Sequence, residues 1–147
     1  SRGFFTSRVF GTYVNEGIAM LGEGLHPASI EHAGQLAGMP VGPLAVSDEV
    51  SLILLQHVRN QSRKDLERNG QRWHPHPAEP LIDRMVDGFG RKGKAAGGGF
   101  YEYPNNGRKF LWPELAAHFV NPGKARAAAL ADLKDRLLFI QGRHRHQ

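Results

Sequence analysis

Hydrophobic and polar positions at the start of the chain recur with the period of an α-helix, about 100° per residue. The pattern predicts one amphipathic helix that begins near Gly3 and ends at the glycines of Gly22-Glu23-Gly24. Ser7 lies at the margin of the apolar side, where a hydroxyl needs a partner from the backbone or from a ligand. The predicted apolar side consists of Val9, Phe10, Tyr13, Val14, Gly17, Met20 and Leu21, and the polar side of Arg8, Thr12, Asn15, Glu16 and Glu23.

Helical patterns continue along the chain, separated by glycine and proline. Pro27 and Pro43 stand at first-turn positions of a second and a third helix, and Gly38 ends the second. Ser51 is a candidate cap for a fourth helix, which ends near Asn69-Gly70. Residues 73–80 contain three prolines, which predict an ordered surface loop because proline removes a backbone donor and favours extended geometry.

The second half of the chain predicts shorter elements. A short helix covers residues 81–86, and the alternation over residues 99–104 predicts a small strand or extended pin. Trp112-Pro113 begins another short helix, and residues 121–123 separate it from an alanine-rich last helix with an Asp132–Arg136 pair. Its apolar stripe runs through Leu130, Leu133, Leu137 and Ile140 into a basic tail, as in a helix cut short or a changed reading frame.

Composition narrows the class of protein. The 147 residues fit one domain, and the absence of cysteine excludes thiol chemistry and is compatible with a cytoplasmic location, which we expect. The net charge of +5 raises the possibility of nucleic acid or a nucleotide-like ligand, but acidic residues are interleaved with the basic ones and no recognition motif accompanies them. We therefore predict a solvated basic surface, no nucleic-acid partner and, without an apolar run of about 20 residues, no membrane partner. The chain opens at Ser1 without a leader, and we expect that a preceding part has been removed.

Motifs that could carry chemistry are weak. Residues 88–93 match G-x-G-x-x-G, but a helical segment precedes them and more glycine follows, and the P-loop pattern fails because Ala95 follows Lys94. The eight histidines lack metal-site spacing, and surface or cap roles are favoured for His26 and the other single histidines. Asp48 and Glu49 are adjacent, so they point in different directions on a helix. The residues define no catalytic group, no metal site and no cofactor site.

A set of short segments resembles the C-terminal domain of the 3-hydroxyacyl-CoA dehydrogenases. The segments are residues 3–8, Asn15-Glu16, residues 38–43 with Asp48 after them, Gly93-Lys94 and residues 99–103, in the family's order and spacing. Residues 111–115 and 135–141 are similar to the linker and the start of a second such domain in multifunctional fatty-acid oxidation proteins.

The resemblance implies an all-α domain that closes an acyl-CoA cleft jointly with a Rossmann domain and forms a homodimer. In that family the Rossmann domain binds NAD and carries the catalytic histidine and glutamate, so NAD belongs to the parent enzyme and not to this chain. The family's first helix has an asparagine, within Gly-Phe-x-x-Asn-Arg, that assists at the substrate. Ser7 occupies that position here, which implies a substrate-binding role because serine can donate one hydrogen bond and accept others. The family also has a Gly-x-Lys segment before Gly-Phe-Tyr, so residues 88–94 are expected to be a family loop.

Two functions remain open at this point. The first is the substrate-cleft and dimerisation domain of a β-oxidation 3-hydroxyacyl-CoA dehydrogenase, inactive on its own, with residues 1–110 as the helical domain and 111–147 as a linker and a truncated second repeat. The second is a non-catalytic structural or dimerisation module.

Overall fold

The computed structural model describes the backbone of residues 7–145 and the side chains of residues 10–138. Within these bounds it contains eight α-helices and one two-stranded antiparallel sheet, which confirms the all-α prediction. A π-helical turn, Arg84–Gly88, and a 3-10 turn, Lys94–Ala96, complete the regular structure. The elements are α1 (Ser7–Gly22), α2 (Pro27–Leu36), α3 (Pro43–Val50), α4 (Leu52–Arg68), α5 (Glu79–Asp83), β1 (Tyr101–Glu102), β2 (Phe110–Leu111), α6 (Pro113–Phe119), α7 (Pro122–Ala127) and α8 (Leu130–Arg145).

Helix α1 lies at the centre of the fold and packs against α2, α3, α5 and α8. Its predicted apolar side is buried from Tyr13 to Leu21, whereas the side chains of Ser7, Arg8 and Val9 lie outside the described residues. Helix α3 crosses α1 at Gly17, where an added Cβ would overlap the ring of Pro43. This close approach depends on the absence of a side chain on α1.

The helix boundaries follow the glycine and proline signals. Pro27 and Pro43 begin α2 and α3, and Gly38, with φ +103°, follows the end of α2. The imidazole of His26 caps α2 by accepting from the Ala28 amide at 3.1 Å, which confirms its predicted cap role. Ser51 is the N-cap residue of α4, as predicted, but its side chain does not bond to the helix amides. Its hydroxyl donates instead to the Lys92 carbonyl at 3.3 Å, and its φ is +98°.

The end of the chain differs from the prediction in two ways. Residues 121–123 do not lead into one last helix, because Asn121 caps the short helix α7 and extended backbone at Ala128 (ψ 124°) separates α7 from α8. The Asp132–Arg136 pair is also wrong. Helix α8 lies along α1, so Arg136 donates instead to Glu23 at 2.8 and 2.9 Å and to Glu16 at 2.8 Å.

The remaining short elements agree with the sequence. Tyr101 pairs with Leu111 and Glu102 with Phe110, which confirms a strand within residues 99–104; the partner strand had no pattern of its own. The short helix over residues 81–86 corresponds to α5 and the π-helical turn. Leu115, Leu133 and Leu137 of α6 and α8 are buried in the same core as α1, and the domain boundary at residue 110 stays a prediction. No helix in the described part of the chain combines the length and hydrophobicity needed to cross a bilayer.

Candidate functional site

An open groove with a volume of about 880 Å³ lies beside the first turns of α1. Phe10 and Val14 of α1 form one wall, and Val46 and Val50 of α3 form the next. The volume falls within the range of small-molecule pockets, about 300–1,000 Å³. The groove is therefore large enough for a ligand and not only for water.

Helix α4 forms the outer wall of the groove. Leu54, Leu55 and Val58 of α4 line the groove, together with the buried Ile82 of α5. Leu54 and Val58 are 46% and 56% exposed, although both are aliphatic. Together with the other aliphatic walls, this exposed helix face is suited to contact an apolar partner or ligand.

Several polar groups at the rim of the groove are bonded within the chain. Arg59 donates to Asp83 at 2.9 Å, and Gln56 donates to the same carboxylate at 2.9 Å. Glu79 accepts from the indole of Trp73 at 3.2 Å and from the His76 amide at 3.1 Å. The groove therefore offers mainly apolar surface to a ligand.

Ser7, the candidate substrate-binding residue, belongs to the first turn of α1. Its side chain lies outside the described residues. The backbone places it one helical turn before Phe10, where the lining of the groove begins. Its substrate-binding role stays a prediction.

Behind the groove, two buried carboxylates tie α2 and α3 to the strand β1. Glu31 of α2 accepts from the amides of Leu44 and Ala45 at 2.7 and 2.9 Å and from the Tyr101 hydroxyl at 2.7 Å. Glu31 thus caps the beginning of α3, which satisfies amides that have no partner within that helix. Glycine at position 42 is required there, because an added Cβ would lie 2.5 Å from the Glu31 carboxylate.

Asp48 of α3 makes the second set of bonds. Its carboxylate accepts from the amides of Phe100 and Tyr101 at 2.9 and 3.0 Å and from the Tyr103 hydroxyl at 2.7 Å. Glu49, the next residue, is exposed and pairs with Lys94 at 3.1 Å, which confirms that the two acids point in different directions. Because α3 presents Asp48 to this network and Val46 to the groove, the network holds the groove wall in place.

The ionisable groups of the network are strongly perturbed. Burial raises the pKa of the carboxyls of Glu31 and Asp48, and the hydrogen bonds that they accept oppose the rise. Burial also raises the pKa of Tyr13, Tyr101 and Tyr103, with further contributions from Glu31 for the first two and from Asp48 for the third. The hydroxyls therefore stay protonated and act as donors. Sequence patterns missed this network, although the spacing of Tyr101 and Tyr103 places both on one side of a strand.

Residues 88–93 do not fit a dinucleotide. The fingerprint needs a strand before it and a helix N-terminus after it, but the π-helical turn precedes these residues and a 3-10 turn follows. The side chain of Arg91 folds back to donate to the Gly99 carbonyl at 2.7 Å and pairs with Glu102 at 2.9 Å. Through Arg91, residues 88–93 are therefore bound to the hairpin of β1 and β2.

The histidines add no reactive site to the described part of the chain. His32 and His57 are exposed, and the imidazole of His76 accepts from the Ala78 amide at 3.0 Å. Among the described residues, no three His, Asp or Glu side chains are grouped so that they could hold a metal ion. The groove formed by the described residues can bind an apolar group and shield it from water.

Comparison with known proteins identifies the fold. The family model of the 3-hydroxyacyl-CoA dehydrogenase, C-terminal domain, matches residues 3–103. The alpha subunits of the fatty acid oxidation complex from Shewanella sp. (strain W3-18-1), Shewanella baltica (strain OS155 / ATCC BAA-1091) and Shewanella putrefaciens (strain CN-32 / ATCC BAA-453) are each 32% identical over 107 residues. The alignments cover 73% of this chain and 14% of each relative, so the chain spans about one seventh of their length.

The matched residues contain all the walls of the groove, the carboxylates Glu31 and Asp48, and the strand β1. The match thus covers the entire candidate site and most of the chain. This chain belongs to the family of 3-hydroxyacyl-CoA dehydrogenase C-terminal domains.

Proposed function

We propose that this chain forms one wall of the substrate cleft of a 3-hydroxyacyl-CoA dehydrogenase of fatty-acid β-oxidation. The observation that supports this function is the apolar groove of about 880 Å³ that begins one helical turn from Ser7. The apolar tail of an acyl-CoA lies in the groove, where each buried methylene contributes about 0.8 kcal/mol. The hydroxyl of Ser7 hydrogen-bonds the polar end of the substrate.

The redox step depends on a separate Rossmann domain in this proposal. The parent reaction is the NAD-dependent oxidation of a 3-hydroxyacyl-CoA to a 3-ketoacyl-CoA. Residues 88–93 do not fit NAD, and the sheet in the described residues is antiparallel, whereas a dinucleotide-binding domain is built on a parallel sheet. The chain alone is therefore expected to be inactive, and the parent enzyme to be a cytoplasmic homodimer.

Binding of acyl-CoA to the purified chain tests the proposal. Titration calorimetry should show micromolar binding of a straight-chain acyl-CoA and weaker binding of CoA without an acyl group. Leu54→Asp, which places a charge at an exposed position of the groove, should weaken acyl-CoA binding at least tenfold. Leu36→Asp is the matched control, because Leu36 is 50% exposed and does not line the groove. Equal affinity for acyl-CoA and CoA would contradict the proposal, and so would NAD-dependent turnover by the chain alone.

Variants at Ser7 test its role separately. Ser7→Ala should weaken acyl-CoA binding, because the hydroxyl is lost. Ser7→Asn, which restores the family's residue, should bind at least as well as the natural chain. Unchanged affinity in both variants would remove Ser7 from the substrate site while leaving the groove in place.

A structural or dimerisation module is the second candidate. The exposed pair Leu54 and Val58, one turn apart on α4, favours it, since such a face can pack against another protein surface. Light scattering of the chain with and without acyl-CoA separates the candidates. A dimer that ignores acyl-CoA and dissociates in Leu54→Asp would favour the structural module.

A further inference from the structure

One wall of the groove is a loop and not a helix. Residues 69–78 connect the end of α4 to the beginning of α5, and Trp73, His74 and His76 of this loop line the groove. Pro75 and Pro77 restrict its backbone. The loop therefore closes the groove on the side where α4 and α5 meet.

The position of Trp73 within this loop is fixed by hydrogen bonds. Its indole nitrogen donates to the Glu79 carboxylate at 3.2 Å, and the same oxygen accepts from the His76 amide at 3.1 Å. Glu79 is the first residue of α5, so the indole is held against a helix of the core. Trp73 is half-buried and carries the largest side chain of the lining.

The lining favours an apolar chain as occupant over a polypeptide. A peptide would bring backbone N–H and C=O groups, which need partners when they are buried. Arg59, His76 and Glu79 already bond within the chain. The other polar side chains of the lining, Asn15, Ser62 and His74, are outnumbered by aliphatic and aromatic ones. An acyl tail has no such groups.

We infer that Trp73 is a specificity-determining residue of the groove and limits the length of the acyl chain that the groove accepts. The inference rests on the proposed acyl-CoA binding. Removing the indole enlarges the groove on the α4–α5 side, since the ring is part of the lining. With the indole in place, the groove is shorter and cannot cover methylenes beyond its end. The affinity for acyl-CoA therefore rises with acyl-chain length up to a limit and then stays constant.

Calorimetric titration with saturated acyl-CoAs of increasing length, kept below their micelle concentrations, tests this role. In the natural chain, affinity should rise about fourfold for each added methylene and then reach a plateau. Trp73→Ala should move the plateau to longer chains while short-chain affinity stays within about twofold. Trp73→Phe, which keeps an aromatic ring, should restore most of the natural limit, and Leu36→Ala should leave it unchanged.

Tryptophan fluorescence provides a direct readout of contact. The chain has two tryptophans, and Trp112 packs away from the groove against Phe89, with ring centroids 5.3 Å apart. In a Trp112→Phe background, acyl-CoA should change the emission of Trp73 with the affinity that calorimetry gives.

The outcomes separate the two proposals. The same plateau in Trp73→Ala and in the natural chain, with acyl-CoA bound by both, would overturn the role of Trp73 and leave the substrate groove intact. Absence of acyl-CoA binding in the natural chain would overturn both. A dimer whose stability changes in Trp73→Ala, without acyl-CoA binding, would assign the groove to a second copy of the chain and would also overturn both.

Discussion

The hydroxyl of Tyr103 donates to the buried carboxylate of Asp48 at 2.7 Å, although 55 positions separate the two residues. The same carboxylate accepts the Phe100 and Tyr101 amides. A hairpin with only two residues in each strand is too short to be stable alone. Its attachment to α3 through Asp48 gives it a fixed place behind the groove.

Asp48→Ala should lower the free energy of unfolding by about 3 kcal/mol or more, because it leaves three donors without their acceptor in a buried site. Glu49→Ala is the matched control. Glu49 is exposed and pairs with exposed Lys94, so its loss should change stability by about 0.5 kcal/mol or less. Urea unfolding of both variants measures the difference, and similar losses at the two positions would contradict the role given to Asp48.

Two glycines within α1, Gly11 and Gly17, should respond to alanine in opposite directions. At Gly11 an added Cβ has no neighbour within 4 Å, so Gly11→Ala should stabilise the protein by about 0.5–1 kcal/mol through helix propensity. At Gly17 an added Cβ overlaps the rigid ring of Pro43, so Gly17→Ala should destabilise it by about 2 kcal/mol as the helices are forced apart. Thermal melting of the two variants gives the signs. Stabilisation by both would mean that α1 and α3 do not approach closely at Gly17.

High pH should unfold the protein through its tyrosines. All three tyrosines of the chain donate hydrogen bonds: Tyr13 to the Val41 carbonyl, Tyr101 to Glu31 and Tyr103 to Asp48. Each pKa is raised in the folded state above the ordinary value of 10.0, so the folded chain holds protons that the unfolded chain releases. The stabilisation that the three tyrosine hydroxyls contribute is therefore fully present below pH 10, and it is lost as the pH rises above 10.

Tyrosinate absorbance and circular dichroism, recorded together during an alkaline titration, measure this coupling. Tyrosinate should appear only as helical signal is lost, and the three tyrosines should ionise in one cooperative step. Gradual ionisation near the ordinary pKa, with the helices intact, would show that the hydroxyls are not held in the network.

The helices could be predicted because their boundaries depend on local chemistry. Pro27 and Pro43 fix the first turns of α2 and α3, and Gly38 supplies the positive φ after α2. The apolar side of α1 follows from its periodicity alone. Family resemblance made Ser7 the candidate substrate-binding residue, and the backbone of the structure places it one helical turn before Phe10 of the groove.

The groove and the network behind it could not be predicted, because both depend on contacts between distant segments. Nothing local to Glu31 indicates that it caps α3, and nothing local to Trp73 indicates that it lines a groove with α1. Arg136 illustrates the same limit. Its spacing to Asp132 predicts a pair within α8, but tertiary packing brings Arg136 to Glu16 of α1 and to Glu23, the residue after α1.

Arg136→Ala should lower the free energy of unfolding by about 1 kcal/mol, because the guanidinium binds the carboxylates of Glu16 on α1 and of Glu23 just after α1, and so joins α8 to the core. High salt should reduce the difference between the variant and the natural chain. Arg68→Ala provides the comparison, since Arg68 pairs with Asp65 on the same exposed helix and should contribute little. If salt leaves the effect of Arg136→Ala unchanged, packing of the side chain and not its charge joins α8 to α1.

Ser51 has the unfavourable backbone geometry of a glycine position, with φ +98° and ψ 127° at the corner between α3 and α4. For a residue with a Cβ such geometry costs about 1–3 kcal/mol. The corner is held by the Leu52 amide, which donates to the Lys92 carbonyl at 2.8 Å, and by the longer bond from the Ser51 hydroxyl to that carbonyl. Ser51→Gly relieves the strain and keeps the backbone bond, at the cost of an exposed hydroxyl bond and of more freedom in the unfolded chain.

We expect Ser51→Gly to raise the free energy of unfolding, measured in urea, by about 0.5–1 kcal/mol. Ser51→Ala separates the two effects, because it keeps the strained φ and removes the hydroxyl, and it should destabilise slightly. Equal destabilisation by glycine and alanine would mean that the hydroxyl bond to Lys92, and not the backbone angle, decides the stability of this corner.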